Sequence, residues 1–127
     1  MNAKGSDGRR KDDELAERLL DFSVRMIQLV QAFPRTATGK HAGNQLLRSG
    51  TAPGANYEEA RGAESQADFV HKLSIVLKEL KESRYWLKVA HRVPLVKPHR
   101  LGTLLNECEE LIASIAKSIF TARRPKR

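Results

Sequence analysis

Glutamate, histidine and cysteine are the residues of this chain that could perform acid-base, metal or nucleophilic chemistry. Glu79 and Glu82 lie beside Lys78 and Lys81, so two carboxylates stand three residues apart. Such a pair serves acid-base catalysis, or binds metal in a helical bundle when a Glu-x-x-His pair accompanies it. None of the four histidines has a glutamate three residues before it; they are His41, His71, His91 and His99. We therefore expect ion pairs on exposed helix faces and no metal site.

The short motifs that carry catalysis are also missing from the sequence. It contains no glycine-rich phosphate loop, no zinc-binding motif and no nucleophile elbow. The single cysteine, Cys108, lies on the apolar side of a helical pattern and has no second cysteine to pair with. The sequence thus predicts a protein that is not an enzyme, uses no cofactor and resides in the reducing cytoplasm.

Basic residues form the other group with chemical potential. Arg84, Lys88 and Arg92 recur every four residues, so they share one side of a helix, and no acid occurs between Ser83 and Asn106. Further basic residues follow in the next loop and at the C-terminus: Lys97, Arg100, Arg123, Arg124, Lys126 and Arg127. These side chains are candidates for phosphate contacts, and the alternative is a solvated face whose aliphatic stems cover the bundle.

The overall charge is consistent with an anionic partner. The 127-residue chain has a net charge of +8 and a pI near 10.0, and it has enough material for one small core. The N-terminal segment lacks the apolar stretch of a secretory signal, and no run is long enough to span a membrane. We expect one cytoplasmic domain without a membrane role.

The elements that would position these side chains are four amphipathic helices. Residues 1–12 have no periodicity and are predicted to be a disordered basic tail, and residues 13–122 are predicted to form the bundle. From Asp13, apolar residues follow a heptad spacing to Phe33, and Pro34 ends this first helix. A second apolar flank, Leu20, Val24, Ile27 and Val30, indicates that this helix contacts more than one neighbour.

The remaining helices are delimited by capping residues and prolines. The second begins near His41 and is either kinked or broken near Pro53. Ser65 begins the third, which stops near Val93, and Pro98 fits the first turn of the fourth. Residues 123–127 form a basic C-terminal tail. Because the connections are short, we predict an all-α, antiparallel up-down-up-down four-helix bundle.

Small and polar residues of the second helix, and two aromatics of the third, have two interpretations each. Gly50 and Gly54 permit close helix packing, and Asn56 and Tyr57 need hydrogen-bond partners when buried. We expect structural roles for these residues, with a functional site as the alternative. Tyr85 and Trp86 are adjacent and point about 100° apart, so at most one can be central to the core. We expect Trp86 to be partly buried and Tyr85 to face a neighbouring subunit, with stacking on bases as the alternative.

The pattern RSGT…GANY.EA..A.S…DF..KL.I.LKE..ES.YWL resembles the bacterial four helix bundle protein family, over roughly residues 15–120. This family includes proteins encoded by intervening sequences within large-subunit ribosomal RNA genes. Seven of the positions that carry the resemblance are Ser49, Gly50, Gly54, Asn56, Tyr57, Tyr85 and Trp86. Pro53 departs from the valine that often stands there. The resemblance implies ring-shaped homo-oligomers, with a pentamer favoured. It also implies a relationship to an accessory protein of diversity-generating retroelements that works with a reverse transcriptase and RNA.

Together these observations predict an oligomeric, non-enzymatic bundle that presents basic surface to RNA or DNA, with RNA favoured. The partner could equally be a nucleic-acid-handling protein such as a reverse transcriptase. The alternative is a protein-protein adaptor or scaffold with no nucleic-acid role. Salt separates the two, because phosphate binding weakens steeply with ionic strength whereas an apolar interface hardly responds.

Overall fold

Four long α-helices make up most of the chain. The computed structural model describes the backbone of residues 3–125 and the side chains of residues 10–125. The helices are α1 (Ala3–Gln31), α2 (Ala37–Arg61), α3 (Gln66–Arg92) and α4 (Gly102–Ala122), with a short 3-10 helix at Pro98–Arg100. The described part of the chain contains no strand. The prediction of an all-α protein with four helices is confirmed.

Each helix runs antiparallel to its neighbours. α2 packs between α1 and α3, α4 packs on α3, and α1 closes the bundle against α4. The contacts between α1 and α4 show the direction of packing, because Arg25 bonds Thr103 while Arg18, earlier in the chain, bonds the later Glu107. The predicted up-down-up-down order is confirmed. One end of the bundle therefore holds the α1–α2 and α3–α4 connections. The other end holds the α2–α3 connection, the start of α1 and the end of α4.

The core is formed by the heptad positions of all four helices. In α1, Leu19, Phe22, Met26 and Leu29 are buried, as the spacing of apolar residues predicted. Each large side chain buried in this way contributes about 1.5–3 kcal/mol relative to an exposed one. Matching stripes from the other helices complete the core, among them Leu46, Leu73, Val76, Leu80, Leu87, Leu104, Leu111 and Ile115.

The first helix starts earlier than its sequence predicted. Helix α1 begins at Ala3, within the segment 1–12 that the sequence predicted to be a disordered tail. Extending an existing helix fixes only one residue per added hydrogen bond, which costs far less than nucleation. Contacts with α2 also hold residues 12 and 13 of α1, because Asp12 accepts a hydrogen bond from Tyr57 and Asp13 pairs with Arg61. Residues 1 and 2 lie outside the described residues.

The second helix also starts before its predicted position and continues through its proline. It begins at Ala37 rather than near His41, because the Thr36 side chain caps it by accepting from the N–H of Gly39. Pro53 is buried inside one uninterrupted α2, so the alternative of two separate short helices is excluded. Since proline has no N–H, the carbonyl of Ser49 lacks its usual helical donor.

The ends of α3 match the capping prediction, whereas the start of α4 differs by one short element. The Ser65 side chain accepts from the N–H of Asp68 and begins α3, and the helix ends at Arg92, before a cis Val93–Pro94 bond. Pro98 opens the 3-10 helix rather than α4 itself. Pro98 has no N–H to donate, which suits a first turn in either helix type. Among the described helices, none is long and apolar enough to cross a membrane.

Candidate nucleic-acid interface

The two central carboxylates of α3 point toward α2 and are paired there. Arg48 of α2 donates from Nη1 to Glu79 at 3.0 Å and from Nη2 to Glu82. Closer to the start of α3, Lys72 pairs with Glu59 of α2 at 3.1 Å. The expected pairing along an exposed face of α3 is therefore wrong for Glu79 and Glu82. Their partner belongs to the neighbouring helix, and Glu79 is buried between the two.

Arg48 and Glu82 also shift each other's pKa. The hydrogen bond from Arg48 to Glu82 holds the pKa of that carboxyl below its ordinary value, and Glu82 raises the pKa of the guanidinium in return. The Trp86 indole N–H adds a bond of 3.3 Å to the same carboxylate. All these contacts lie on the α2 side of α3, so the negative charges are absent from its opposite side.

The side of α3 that faces away from the bundle carries uncompensated positive charge. Lys81, Lys88 and Arg92 are exposed, and none of them forms an ion pair with another described residue. Their spacing of seven and four residues aligns them on one helix face over about 16 Å, at 1.5 Å per residue. We call these three residues the α3 basic face. Two of its members, Lys88 and Arg92, are candidates for phosphate contacts from the sequence. The third, Lys81, lacks among the described residues the ion pair that the sequence predicted for it.

Arg84 lies to one side of this row. It donates to Glu109 of α4 at 2.8 Å, and its side chain is about one-third exposed. The absence of acids between Ser83 and Asn106 could not reveal this pairing, because the acid that meets Arg84 is on the next helix. Its charge is therefore balanced locally, unlike the charges of the α3 basic face.

Lys97 and Arg100 lie beyond the end of α3. Both are exposed in the α3–α4 connection and have no ion-pair partner in the described chain. Arg100 and His99 line a small concavity with Arg25 and Gln28 of α1. This group extends the basic surface around the end of the bundle where Arg92 lies.

Arg123 and Arg124 occupy the opposite end. They follow α4 and line a groove with Phe120, Ser74 and Leu77. The Arg124 guanidinium stands 5.5 Å from the centre of the Phe120 ring, within the range of a cation-π contact. The antiparallel topology thus separates these arginines from Lys97 and Arg100. The candidates Lys126 and Arg127 lie outside the described residues.

Comparison with known proteins identifies the family. Residues 11–117 match the family described as 23S rRNA-intervening sequence protein. The match covers most of the 127-residue chain. The chain belongs to the 23S rRNA-intervening sequence protein family. A solved relative is a protein of unknown function from the S23 ribosomal protein family of Bacteroides thetaiotaomicron VPI-5482. It is 33% identical, with a TM-score of 0.78 over 83% of this chain and 97% of that chain. No curated protein matches the chain.

The small residues that carried the resemblance lie where helices touch. A Cβ atom on Gly50 would come within 2.3 Å of Met26 Cγ, and one on Gly54 would lie 3.4 Å from the carbonyl oxygen of Leu19. Between α2 and α3, the buried Ser83 hydroxyl donates to Ser49 Oγ at 3.1 Å. These contacts hold α2 tightly between its neighbours.

Asn56 and Tyr57, near the C-terminal end of α2, both have hydrogen-bond partners. Asn56 Nδ2 donates to the carbonyl of Ala52 at 3.0 Å within the same helix. Tyr57 is buried, and its hydroxyl lies 3.5 Å from Asp12 Oδ1. Burial, with the adjacent Asp12 carboxylate, raises the pKa of Tyr57 to about 12, so its hydroxyl keeps its proton at neutral pH.

Trp86 and Tyr85 differ in exposure. Trp86 is half-buried against the core, with its ring 5.5 Å from that of His41 in an edge-to-face contact. Tyr85 is 60% exposed, and its ring makes an edge-to-face contact with Trp86, with the ring centres 5.1 Å apart and an interplanar angle of 82°. Its neighbours on the surface are Lys88 and Arg92 of the α3 basic face.

Two observations concern metal binding and nucleophilic chemistry among the described side chains. No three His, Cys, Asp or Glu residues among them come together as a metal site. Cys108 is buried and donates weakly to the Leu80 carbonyl at 3.3 Å, and burial raises its pKa to about 12. A thiol that keeps its proton is a poor nucleophile. The exposed cations of the α3 basic face are able to bind anions.

An apolar groove lies on another side of the bundle. Leu20, Val24 and Ile27 of α1 remain 38–56% exposed, and Leu47 of α2 is 40% exposed. The three α1 residues line a groove of roughly 820 Å³ with small residues of α2. The sequence indicated a second neighbour for this flank of α1, but none of the described helices covers Leu20, Val24 and Ile27.

Proposed function

We propose that this protein is a non-enzymatic, oligomeric helical bundle that binds nucleic acid through the α3 basic face. One observation carries the proposal: the central carboxylates of α3 are all taken up by Arg48 on the α2 side, which leaves Lys81, Lys88 and Arg92 exposed in a row. A row of uncompensated cations along a helix matches the repeating charge of a phosphate backbone.

This form of binding would be largely independent of base sequence. Lysine and arginine that contact phosphates gain most of their free energy from released counterions. The net charge of +8 would also attract a polyanion over a distance set by the salt concentration. RNA is favoured over DNA because the family is named for sequences that interrupt 23S rRNA.

Self-association is the second part of the proposal. Leu20, Val24 and Ile27 form an exposed apolar strip, and such strips mark protein interfaces more often than solvent-facing surface. A second copy of the chain placed on this groove would bury it. An assembly of this kind would repeat the α3 basic face, and several weak phosphate contacts would then act together. We favour a pentamer, as the resemblance implies.

Size-exclusion chromatography with light scattering tests both parts. The purified protein is run at low and at high salt while the 260/280 nm absorbance ratio is recorded. The expected result is a mass of about five chains, with bound nucleic acid that leaves at high salt. A monomer with a protein-like ratio at both salt concentrations would contradict both parts of the proposal.

A protein-protein adaptor is the second candidate function. The observation that favours it is the same apolar groove, which fits an amphipathic helix of another protein. A nucleic-acid-handling enzyme such as a reverse transcriptase is one such partner. A complex that survives at high salt, without nucleic acid, would favour the adaptor over the phosphate-binding role.

A further inference from the structure

One tyrosine and one phenylalanine of the described chain are exposed, and both lie beside two cations. Tyr85 is 60% exposed and Phe120 is 66% exposed, while the other described phenylalanine, tyrosine and tryptophan side chains are buried or half-buried. Tyr85 adjoins Lys88 and Arg92, and Phe120 adjoins Arg123 and Arg124. The two exposed rings therefore share the same kind of surroundings, an open ring beside two cations.

The Tyr85 ring is held in place but open to a ligand. Its edge-to-face contact with Trp86 covers at most one of its two faces. Val89 and Val93 form an apolar floor beside it in a shallow concavity of roughly 430 Å³, and Val93 is 53% exposed. An unpaired nucleobase has the flat, weakly polar surface that stacks on such a ring, while its phosphates would meet Lys88 and Arg92.

Phe120 offers a second open ring on the neighbouring helix. It lies in the groove between α3 and α4, with Leu77 on the α3 side. Arg124 stands 5.5 Å from its ring centre, and a guanidinium in that position can itself stack on a base. Leu77 and Tyr85 are eight residues apart on α3, which places the two rings at least about 12 Å apart along the bundle.

Acids are few along the line that joins the two rings. Glu79 and Glu82 face α2 and are bound by Arg48, and Glu109 of α4 is bound by Arg84. Lys81 lies between the rings with no ion-pair partner among the described residues. A flexible strand could therefore pass from one ring to the other over positive or neutral surface.

We propose that the ligand is single-stranded nucleic acid, with unpaired bases stacked on Tyr85 and Phe120 and the connecting phosphates held by the α3 basic face. This inference rests on the proposed nucleic-acid function and narrows it. A duplex could use the cations but not the rings, because its base faces are already stacked on one another. Single strands expose those faces, and each stacked base adds affinity without requiring a particular sequence.

Fluorescence titration gives a direct test, because Trp86 is the single tryptophan of the chain and contacts Tyr85. The probes are a single-stranded RNA and the duplex formed from it with its complement, at one salt concentration. The variants are Tyr85→Leu and Phe120→Leu, with Tyr85→Phe as a matched control that keeps the ring. Circular dichroism and light scattering establish the helicity and mass of each variant.

The expected result is that the unaltered protein binds the single strand more tightly than the duplex and that Trp86 emission changes on binding. Tyr85→Leu and Phe120→Leu should each weaken single-strand binding by about tenfold, while duplex binding stays the same and Tyr85→Phe resembles the unaltered protein.

Three other results would overturn the inference, each in a different way. Equal affinity for strand and duplex, unaffected by either leucine substitution, would contradict base stacking on Tyr85 and Phe120. It would remain consistent with the proposed nucleic-acid function. No binding of either probe would contradict the proposed nucleic-acid function itself. A lower oligomeric mass in Tyr85→Leu or Phe120→Leu would show that the rings lie between subunits rather than against bases.

Discussion

Gly50 sets how closely α1 and α2 approach. A methyl group there would meet Met26 Cγ at 2.3 Å and Met26 Cβ at 2.9 Å, and the latter is too near the backbone to move freely. Gly50→Ala gains about 1 kcal/mol of helix propensity, but overpacking costs about 1–3 kcal/mol. We expect a net loss of stability of up to about 2 kcal/mol, measured by urea unfolding.

Gly102 provides the control for this substitution. It opens α4, and a Cβ atom there would have no other atom within 4 Å. Gly102→Ala should leave stability unchanged or raise it by up to about 1 kcal/mol, because it only restricts the unfolded chain. Equal effects at both glycines would contradict the close approach at Gly50.

At this scale, the sequence predicted residue types better than residue partners. Ser65 was identifiable as a helix cap, and Gly50 and Gly54 as packing positions, because those roles depend on local geometry. The intrahelical bond of Asn56 and the contact of Tyr57 with Asp12 were not identifiable. Both depend on which atoms the folded chain brings together.

At the scale of elements, Arg48 links α2 to α3 and leaves the far side of α3 basic. Arg48→Met should leave the buried Glu79 without its partner, at a cost of about 1–2 kcal/mol because the guanidinium is half exposed. Lys72→Met, which removes a more exposed pair with Glu59, should cost less. Urea unfolding at neutral pH measures both, and a larger effect at Lys72 would contradict this role of Arg48.

The ion pair between Arg48 and Glu82 makes an acid-sensitive contribution to the stability of the protein. The pKa of Glu82 is lowered in the folded state, chiefly by its hydrogen bond from Arg48. The contribution is therefore fully present above the ordinary glutamate pKa of about 4.3 and is lost as the pH falls through the lower folded value. The difference in stability between the unaltered protein and Arg48→Met should narrow on acidification in that range. A constant difference would contradict the assignment.

The extent of each helix was predicted less well than its existence. Periodicity placed all four helices, but α1 begins ten residues before Asp13 and α2 begins four before His41. Contacts between helices, such as that of Arg61 with Asp13, decide where a helix frays. The pairing of Arg84 with Glu109 was hidden for the same reason, because sequence distance does not indicate which helix faces meet.

At the scale of the whole molecule, the fold could be predicted but its surfaces could not. Heptad spacing and short connections are sufficient for an antiparallel bundle. They do not specify that Leu20 and Val24 stay exposed, or that Lys81 rather than Arg84 completes the row with Lys88 and Arg92. Those features depend on the rotation of each helix about its axis.

The apolar groove is where we expect subunits to meet. Replacing both Leu20 and Val24 with glutamate places charge in that groove and should reduce the oligomer to smaller species, as measured by light scattering. Ala113→Glu on the exposed side of α4 is the control and should leave the mass unchanged. An unchanged mass in the double variant would place the interface elsewhere.

The central claim is that the α3 basic face contacts phosphates, and charge reversal tests it most directly. Lys81, Lys88 and Arg92 are all changed to glutamate. The matched control changes Lys11, Lys40 and Lys117 to glutamate; these are exposed on the other three helices and have no ion-pair partner among the described residues. Both variants alter the net charge equally, so only the position of the charge differs. The measurement is the dissociation constant for a single-stranded RNA over a series of salt concentrations.

Loss of three phosphate contacts should weaken binding about 100-fold near 0.1 M salt and reduce the slope of log affinity against log salt by about two. The control should keep most of the affinity and nearly the original slope. Equal losses in both variants would mean that net charge, not this face, holds the RNA, and unchanged binding in the first variant would contradict the account outright.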